Sequence, residues 1–221
     1  MVHQATVSRY PGTRMSSTSG IDAAVGRSDL VRDALETARR AHAGQLRRGS
    51  DGHPYIDHPV AVAEILVQHR YRDEVLAAGL LHDVVEKSDI GIDEVRESFG
   101  EIVGDLVEAL TEDETIASYE DRKEEHRQRV AVADPAALAI FAADKLTNVA
   151  MLREAYALIG EGVSDELAVS LDLKIYIWEA DLEMLFEQAP ALPLTDQLAE
   201  EMVGLWGDRF RAVDSSPDPP D

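Results

Sequence analysis

No cysteine occurs in the 221 residues, which excludes a disulfide framework, a thiolate metal site and a cysteine nucleophile. Any metal bound here is held by His, Asp or Glu. Basic residues are also scarce: 21 Lys and Arg stand against 43 Asp and Glu, for a formal charge of -22. Nucleic-acid backbones are tracked by basic stripes, so no nucleic acid is expected as a partner. An anionic small molecule can still enter a pocket that is positive locally. No apolar run reaches the roughly 20 residues that a bilayer-crossing helix needs, and no membrane partner is expected. Strand-period alternation and internal repeats are missing too.

What is present is 45% hydrophobic residues, enough for one globular domain with extensions. Residues 1–27 read as a disordered tail, residues 28–211 as the folded domain and residues 212–221 as a second tail around SSPDPPD. The first tail carries Arg9 and Arg14 among several Ser but no apolar core for secretion, and the cytoplasm is the expected compartment.

Nearly every segment between the tails has helical spacing. In SDLVRDALETARRAHAG, Leu30, Ala34, Ala38 and Ala41 recur at three to four residues behind a Ser28 or Asp29 cap, and Gly44 stops the run. Pro59 suits the start of a helix over VAVAEILVQH, DEVLAAGLLHDVVEK reads as one helix, and two short helices flank Gly100. Asp134 and Pro135 open the long AALAIFAADKLTNVAMLREAYAL, and amphipathic stretches near 163–188 and 194–211 close the chain. The fold class is all-α.

Chemistry concentrates on three of these helices. His82 and Asp83 are neighbours whose side chains, about 100° apart on a helix, can pinch one ion. His58 lies in YIDHP at the mouth of a second helix and Asp144 in FAADKL on a third. A nitrogen and oxygen donor set without sulfur suits Mn, Zn, Fe or Mg, and imidazole biases it away from Ca and Mg. Taken singly, each residue has a plainer account as a satisfied core histidine or a solvated acid. Together, the apolar surroundings AAGLLHDVV and LAIFAADKL would bury acids that need a compensating partner, and a cation is the economical one.

The pattern His58, His82-Asp83, Asp144 resembles the metal-holding set of the HD phosphohydrolase superfamily. The words AHAGQLRRGSDGHPYIDHPVAVAEIL, GLLHDVVEKSDIGIDEVRESFGEIVGDLVEALTED and AADKLTNV resemble, in order and spacing, the hydrolase domain of the RelA/SpoT group and the small alarmone hydrolases. The resemblance runs from about residue 30 to about residue 155. It implies an HD-domain helical bundle holding a divalent metal, usually Mn2+ with Zn2+ or Fe2+ as alternatives, on His58, His82, Asp83 and Asp144. It also implies a nucleotide substrate, guanosine tetra- or pentaphosphate, cleaved at the 3′-diphosphate. Arg47 and Arg48 on the loop before His58, with Tyr55 and Asn148, are the expected substrate contacts, and Glu86 the catalytic acid-base group. His42 and His53 are not expected among the ligands.

Where the hydrolases follow the His-Asp pair with Glu-Asp, this chain has Glu86-Lys87. Glu86 shares the face of His82 and Asp83 and can serve as base or water anchor, while Lys87 can pair with Asp83 or reach a phosphate oxygen. Only four lysines occur, and Lys87 and Lys145 both flank site residues. Two other readings therefore stand beside alarmone hydrolysis: a phosphatase for another nucleotide such as NADPH or a dNTP, and a nucleotide-binding regulatory protein with weakened catalysis. Beyond residue 160, IYIWEADLEMLF is apolar enough to cover the pocket or to form a homodimer face.

Overall fold

The computed structural model describes residues 20–47 and 52–214, with side chains as far as Arg209. The helices are α1 (Gly20–Arg27), α2 (Asp29–Ala41), α3 (Asp57–Gln68), α4 (Asp73–Leu81), α5 (Val84–Lys87), α6 (Ile92–Phe99), α7 (Glu101–Leu110), α8 (Tyr119–Ala131), α9 (Pro135–Ile159), α10 (Leu171–Gln188) and α11 (Pro193–Asp214). A 3-10 turn, Gly160–Glu166, links α9 towards α10. Among the described residues the β pairing consists of one isolated bridge, Leu46 to Pro54, which closes the loop before α3.

Two helices form the centre. From Val75 to Leu81 every residue of α4 is buried, as befits a helix that is apolar all round. Its neighbour α3 comes close because Gly79 has no side chain: a Cβ there would lie 2.6 Å from Leu66 Cδ1. The other central helix, α9, starts where Asp134 accepts a hydrogen bond from the Ala136 amide at 2.8 Å with Pro135 in its first turn. It then runs through the core against α3, α4, α7, α8, α10 and α11. Pro135–Glu166 has the length and apolarity of a membrane-crossing segment, contrary to the sequence reading, but 61% of its most apolar window is buried inside the fold.

The structure departs from the expected helices at four places. DEVLAAGLLHDVVEK is two helices, α4 and α5, broken at His82-Asp83. Residues 20–27, assigned by sequence to the disordered tail, form α1: the Gly20 and Ile21 amides donate to the Glu64 carboxylate on α3 at 2.9 and 2.8 Å, and Ile21 and Ala24 are buried. The stretch near 163–188 begins as the 3-10 turn and becomes helical only at Leu171, where Ser170 caps α10. Finally, α11 reaches Asp214 and so enters the expected second tail. Residues 1–19 and 215–221 lie outside the described residues.

One buried ion pair fixes α8 against α10. Arg127 Nε lies 2.9 Å from Asp181 Oδ1, with the two side chains 11% and 4% exposed. This pair sets the position of α10 as a wall facing α9.

Candidate active site

The four candidate ligands come from three places that the core holds rigidly. His58 is the second residue of α3, His82 and Asp83 occupy the break between α4 and α5, and Asp144 sits on α9. His58 Nε2 lies 2.9 Å from Asp144 Oδ1 and 3.8 Å from Asp83 Oδ2. His82 Nε2 lies 3.5 Å from Asp83 Oδ2 and 3.7 Å from Asp144 Oδ1. Donors held about 2.0–2.2 Å from one ion stand roughly 3–4 Å apart, so the spacing suits a single divalent cation. Donor atoms of His58, His82 and Asp144 all fall within 4.8 Å of one another.

The tautomer of His82 supports the same fit. Its Nδ1 lies 2.8 Å from the Gly79 carbonyl and donates to it, which turns Nε2 towards the two carboxylates, where a cation would take the place of its proton. That Nε2 is buried with no hydrogen-bond partner. The carboxylates are oriented in turn: the Tyr55 hydroxyl donates to Asp83 Oδ2 at 2.6 Å, Asn148 Nδ2 donates to Asp144 Oδ1 at 2.7 Å, and Lys145 Nζ donates to Asp144 Oδ2 at 3.0 Å. Tyr55, expected from the sequence as a substrate contact, thus also orients a candidate ligand. Replacing it by Phe is expected to weaken manganese binding roughly tenfold, because outer hydrogen bonds tune ligand affinity. Calorimetric titration of the metal checks this, and an unchanged affinity would reduce the hydroxyl to a packing role.

Burial and charge act in opposite directions across the cluster. Burial, assisted by the Arg47 cation, pushes His58 down to about 4. At His82 burial also lowers the pKa, but the Asp83 and Asp144 carboxylates outweigh it and raise the value to about 9. Desolvation works to raise Asp83, yet His82 and His58 hold it below the usual carboxylate range. The same desolvation acts on Asp144, and Lys145 overrides it most strongly. Two ionised carboxylates are therefore held in a buried place where a cation would offset them.

The cluster forms part of a cavity of about 670 Å³. Its lining includes Arg47, Lys87, Lys123, Lys145 and Lys174, matched by the carboxylates of Asp83, Glu86, Glu112, Asp144 and Asp181. In a chain of charge -22, this even balance is a local departure towards positive charge. Arg47 donates to Asn148 Oδ1 and its guanidinium carbon stands 5.7 Å from the Tyr55 ring centroid, so these three expected substrate contacts form one group. Arg48 lies outside the described residues. His42 stacks on Tyr55 with ring centroids 4.8 Å apart, and His53 faces Asp57 at 4.0 Å.

Glu86 and Lys87 meet each other rather than the ligands. Lys87 Nζ lies 3.2 Å from Glu86 Oε2, while Glu86 Oε1 accepts from the Glu112 amide at 2.7 Å. The ion pair between Lys87 and Asp83 that the helical spacing allowed does not form. Burial raises the Glu86 pKa, and repulsion from Asp83 adds to the rise. Of the two roles that the sequence left open for IYIWEADLEMLF, covering the pocket is the one seen in α10, where Ile177, Trp178 and Asp181 line the cavity; sequence reasoning missed Lys174 beside them and Glu112, Tyr119 and Lys123 opposite. The scarcity of lysine was the available signal, since the two lysines it left aside line the same cavity.

Comparison with known proteins places this geometry. Residues 34–167 match the family described as HD domain. The human guanosine-3′,5′-bis(diphosphate) 3′-pyrophosphohydrolase MESH1 is 39% identical over 135 residues, which is 60% of this chain and 73% of that protein. A GTP pyrophosphokinase of Streptomyces antibioticus is 38% identical over 126 residues, 56% of this chain and 15% of its own length, so this chain spans only a small part of that relative. The solved structure of a metazoan SpoT orthologue that hydrolyses ppGpp is similar with a TM-score of 0.67 at 27% identity, covering 80% of this chain and 95% of the other.

Proposed function

This chain belongs to the HD-domain family, and from that premise we propose that it is a metal-dependent 3′-pyrophosphohydrolase of guanosine tetraphosphate. The observation that carries the reading is the cluster of two imidazoles and two carboxylates opening on a cavity into which an acidic chain gathers five basic side chains. The names of the human and metazoan relatives supply the substrate. Manganese is the ion that we assign, since two carboxylates suit a hard divalent cation and two imidazoles favour a transition metal over Mg or Ca. The cytoplasm is the compartment assigned, and exposed Tyr176 and Phe186 on α10 offer the face for a homodimer.

In this reading His58, His82, Asp83 and Asp144 hold the ion. When bound, it supplies a water of lowered pKa and neutralises the phosphate that is attacked. Glu86 lines the cavity with a pKa raised by burial and Asp83, which suits a carboxylate that orients the water and takes its proton. Arg47 stacks on the purine or grips a phosphate with its fork of donors, and Asn148 holds Arg47 beside Tyr55. Water adds across the bond between the 3′ oxygen and its phosphorus; the products are GDP and pyrophosphate.

The pairing of Lys87 with Glu86 favours a second reading, a nucleotide-binding regulatory protein with little turnover. Purified protein with manganese is expected to release pyrophosphate from guanosine tetraphosphate. Lys87→Asp is expected to raise that rate on the order of tenfold by freeing Glu86 as a base. Orthophosphate as the product would show a phosphatase instead. Nucleotide binding without turnover, in both the native protein and the variant, would establish the regulatory reading.

A further inference from the structure

All four lysines of the chain line the one cavity, although they are a small minority among the 21 basic residues. Three of them face a carboxylate. Lys87 pairs with Glu86 at 3.2 Å, Lys145 with Asp144 at 3.0 Å, and Lys123 with Glu112. Lys174 is different: among the described residues no carboxylate stands within ion-pair distance of it, and its Nζ lies over the Trp178 ring, 4.9 Å from the centroid. The acid on the same helical face, Asp181, is taken by Arg127 at 2.9 Å.

The surroundings of Lys174 make its lack of an acid costly. Burial lowers its pKa, and the neighbouring cations Lys123, Lys145 and Arg47 lower it further, to about 8, against a smaller opposing pull from Asp144. A lysine that is still mostly protonated at neutral pH therefore projects from α10 into a cavity among three like charges. Such an arrangement loses stability in the free protein and regains it when an anion enters. Its position narrows the anion further, because Lys145 bonds Asp144 directly and ties this cationic corner to the metal cluster.

We propose that Lys174, with Lys123 and Lys145, forms a subsite for the outer phosphoryl group of the diphosphate that is cleaved, and that it holds this group as pyrophosphate departs. The inference rests on the reading that a diphosphate arm is cleaved at the metal cluster. With an ion held on His58, His82, Asp83 and Asp144, the attacked phosphorus would stand at the cluster and the next phosphate along the arm would reach the lysine corner that shares its cavity. Lys174 is thus a positioning residue: it exchanges no proton and forms no bond with the reacting phosphorus.

The test is calorimetric titration of inorganic pyrophosphate into manganese-loaded protein, with melting measured alongside. Lys174→Gln is expected to weaken pyrophosphate binding about tenfold, the loss of one charge-assisted hydrogen bond, while Lys174→Arg keeps the affinity within about threefold by retaining the charge. Lys174→Gln is also expected to melt no lower than the native protein when pyrophosphate is absent, since an unpaired cation has gone. Equal pyrophosphate affinity in the native protein and Lys174→Gln overturns the proposal. So does a weakened affinity accompanied by a lower melting point, which marks a structural lysine. Because no nucleotide is present, the subsite is tested apart from the assigned substrate. A protein that ignores guanosine tetraphosphate yet binds pyrophosphate through Lys174 refutes the substrate and leaves the subsite standing.

Discussion

Asp83→Asn is expected to reduce pyrophosphate release on the order of a thousandfold while leaving the fold intact. The Asp83 side chain is 15% exposed and faces both imidazoles, so its charge is the part of the cluster that an amide cannot replace. Shape survives the change, because the Tyr55 hydroxyl that now donates to Asp83 Oδ2 at 2.6 Å can donate equally to an amide oxygen. The ion's contribution to a phosphoryl transition state is several kcal/mol, and about 1.4 kcal/mol is a factor of ten, so losing most of it costs about three powers of ten. Two measurements decide the outcome: metal content after desalting and turnover with added manganese. Full activity with one ion per chain would remove Asp83 from the metal set.

Arg127→Met is expected to lower stability by about 3 kcal/mol, because it strands Asp181 in the interior without its partner. For a chain of this length that corresponds to a fall in melting temperature of about 6–12 °C. The effect has a pH signature. Burial already raises the Asp181 pKa against the opposing pulls of Lys145 and Arg127, and without Arg127 it rises further. An acid whose folded pKa lies above its unfolded value stabilises the fold most when protonated, and that stability is lost as pH rises through the folded value. The deficit of Arg127→Met should therefore be smaller in mild acid than at neutral pH. Adding Asp181→Leu to the same chain should recover much of the loss, since the stranded charge is then removed. A variant that melts like the native protein at both pH values would show that the pair does not hold α10 in place.

Sequence and structure agree best where one local rule suffices. The spacing of Leu30, Ala34 and Ala38 gave α2, the Asp134-Pro135 cap gave the start of α9, and the HD pattern gave His58, His82, Asp83 and Asp144, which the structure brings within a few ångströms. The break at His82-Asp83 was illegible because DEVLAAGLLHDVVEK holds no proline and its single glycine is buried against Leu66 in mid-helix. One local and one long-range contact hold it: the Gly79 carbonyl, three residues back, takes the His82 ring, and the amide of Glu112 donates to Glu86 from the other side. The first helix went unseen for a related reason, since GIDAAVGR is too short to stand alone and depends on the Glu64 carboxylate, 43 residues away from Ile21. As for the cavity wall, Lys174, Trp178 and Asp181 look in sequence like one face of any amphipathic helix, and it is packing against α8, α9 and α11, with the Arg127 pair, that turns that face towards the cavity.

The interruption between α4 and α5 has a consequence for how such a protein can change. His82 is anchored locally, onto a carbonyl of α4, whereas Glu86 and Lys87 are anchored from distant parts of the chain, by the Glu112 amide and by the Gln45 amide group on the Lys87 carbonyl at 2.7 Å. Substitutions at positions 86 and 87 of α5 therefore leave the His82 imidazole undisturbed. Affinity for the cation and reactivity towards the phosphate ester become largely separable traits, joined at Asp83 by the peptide link and by the Lys87 amide on the Asp83 carbonyl at 3.0 Å. A designer could replace residues 86 and 87 as a cassette and expect the ion to stay.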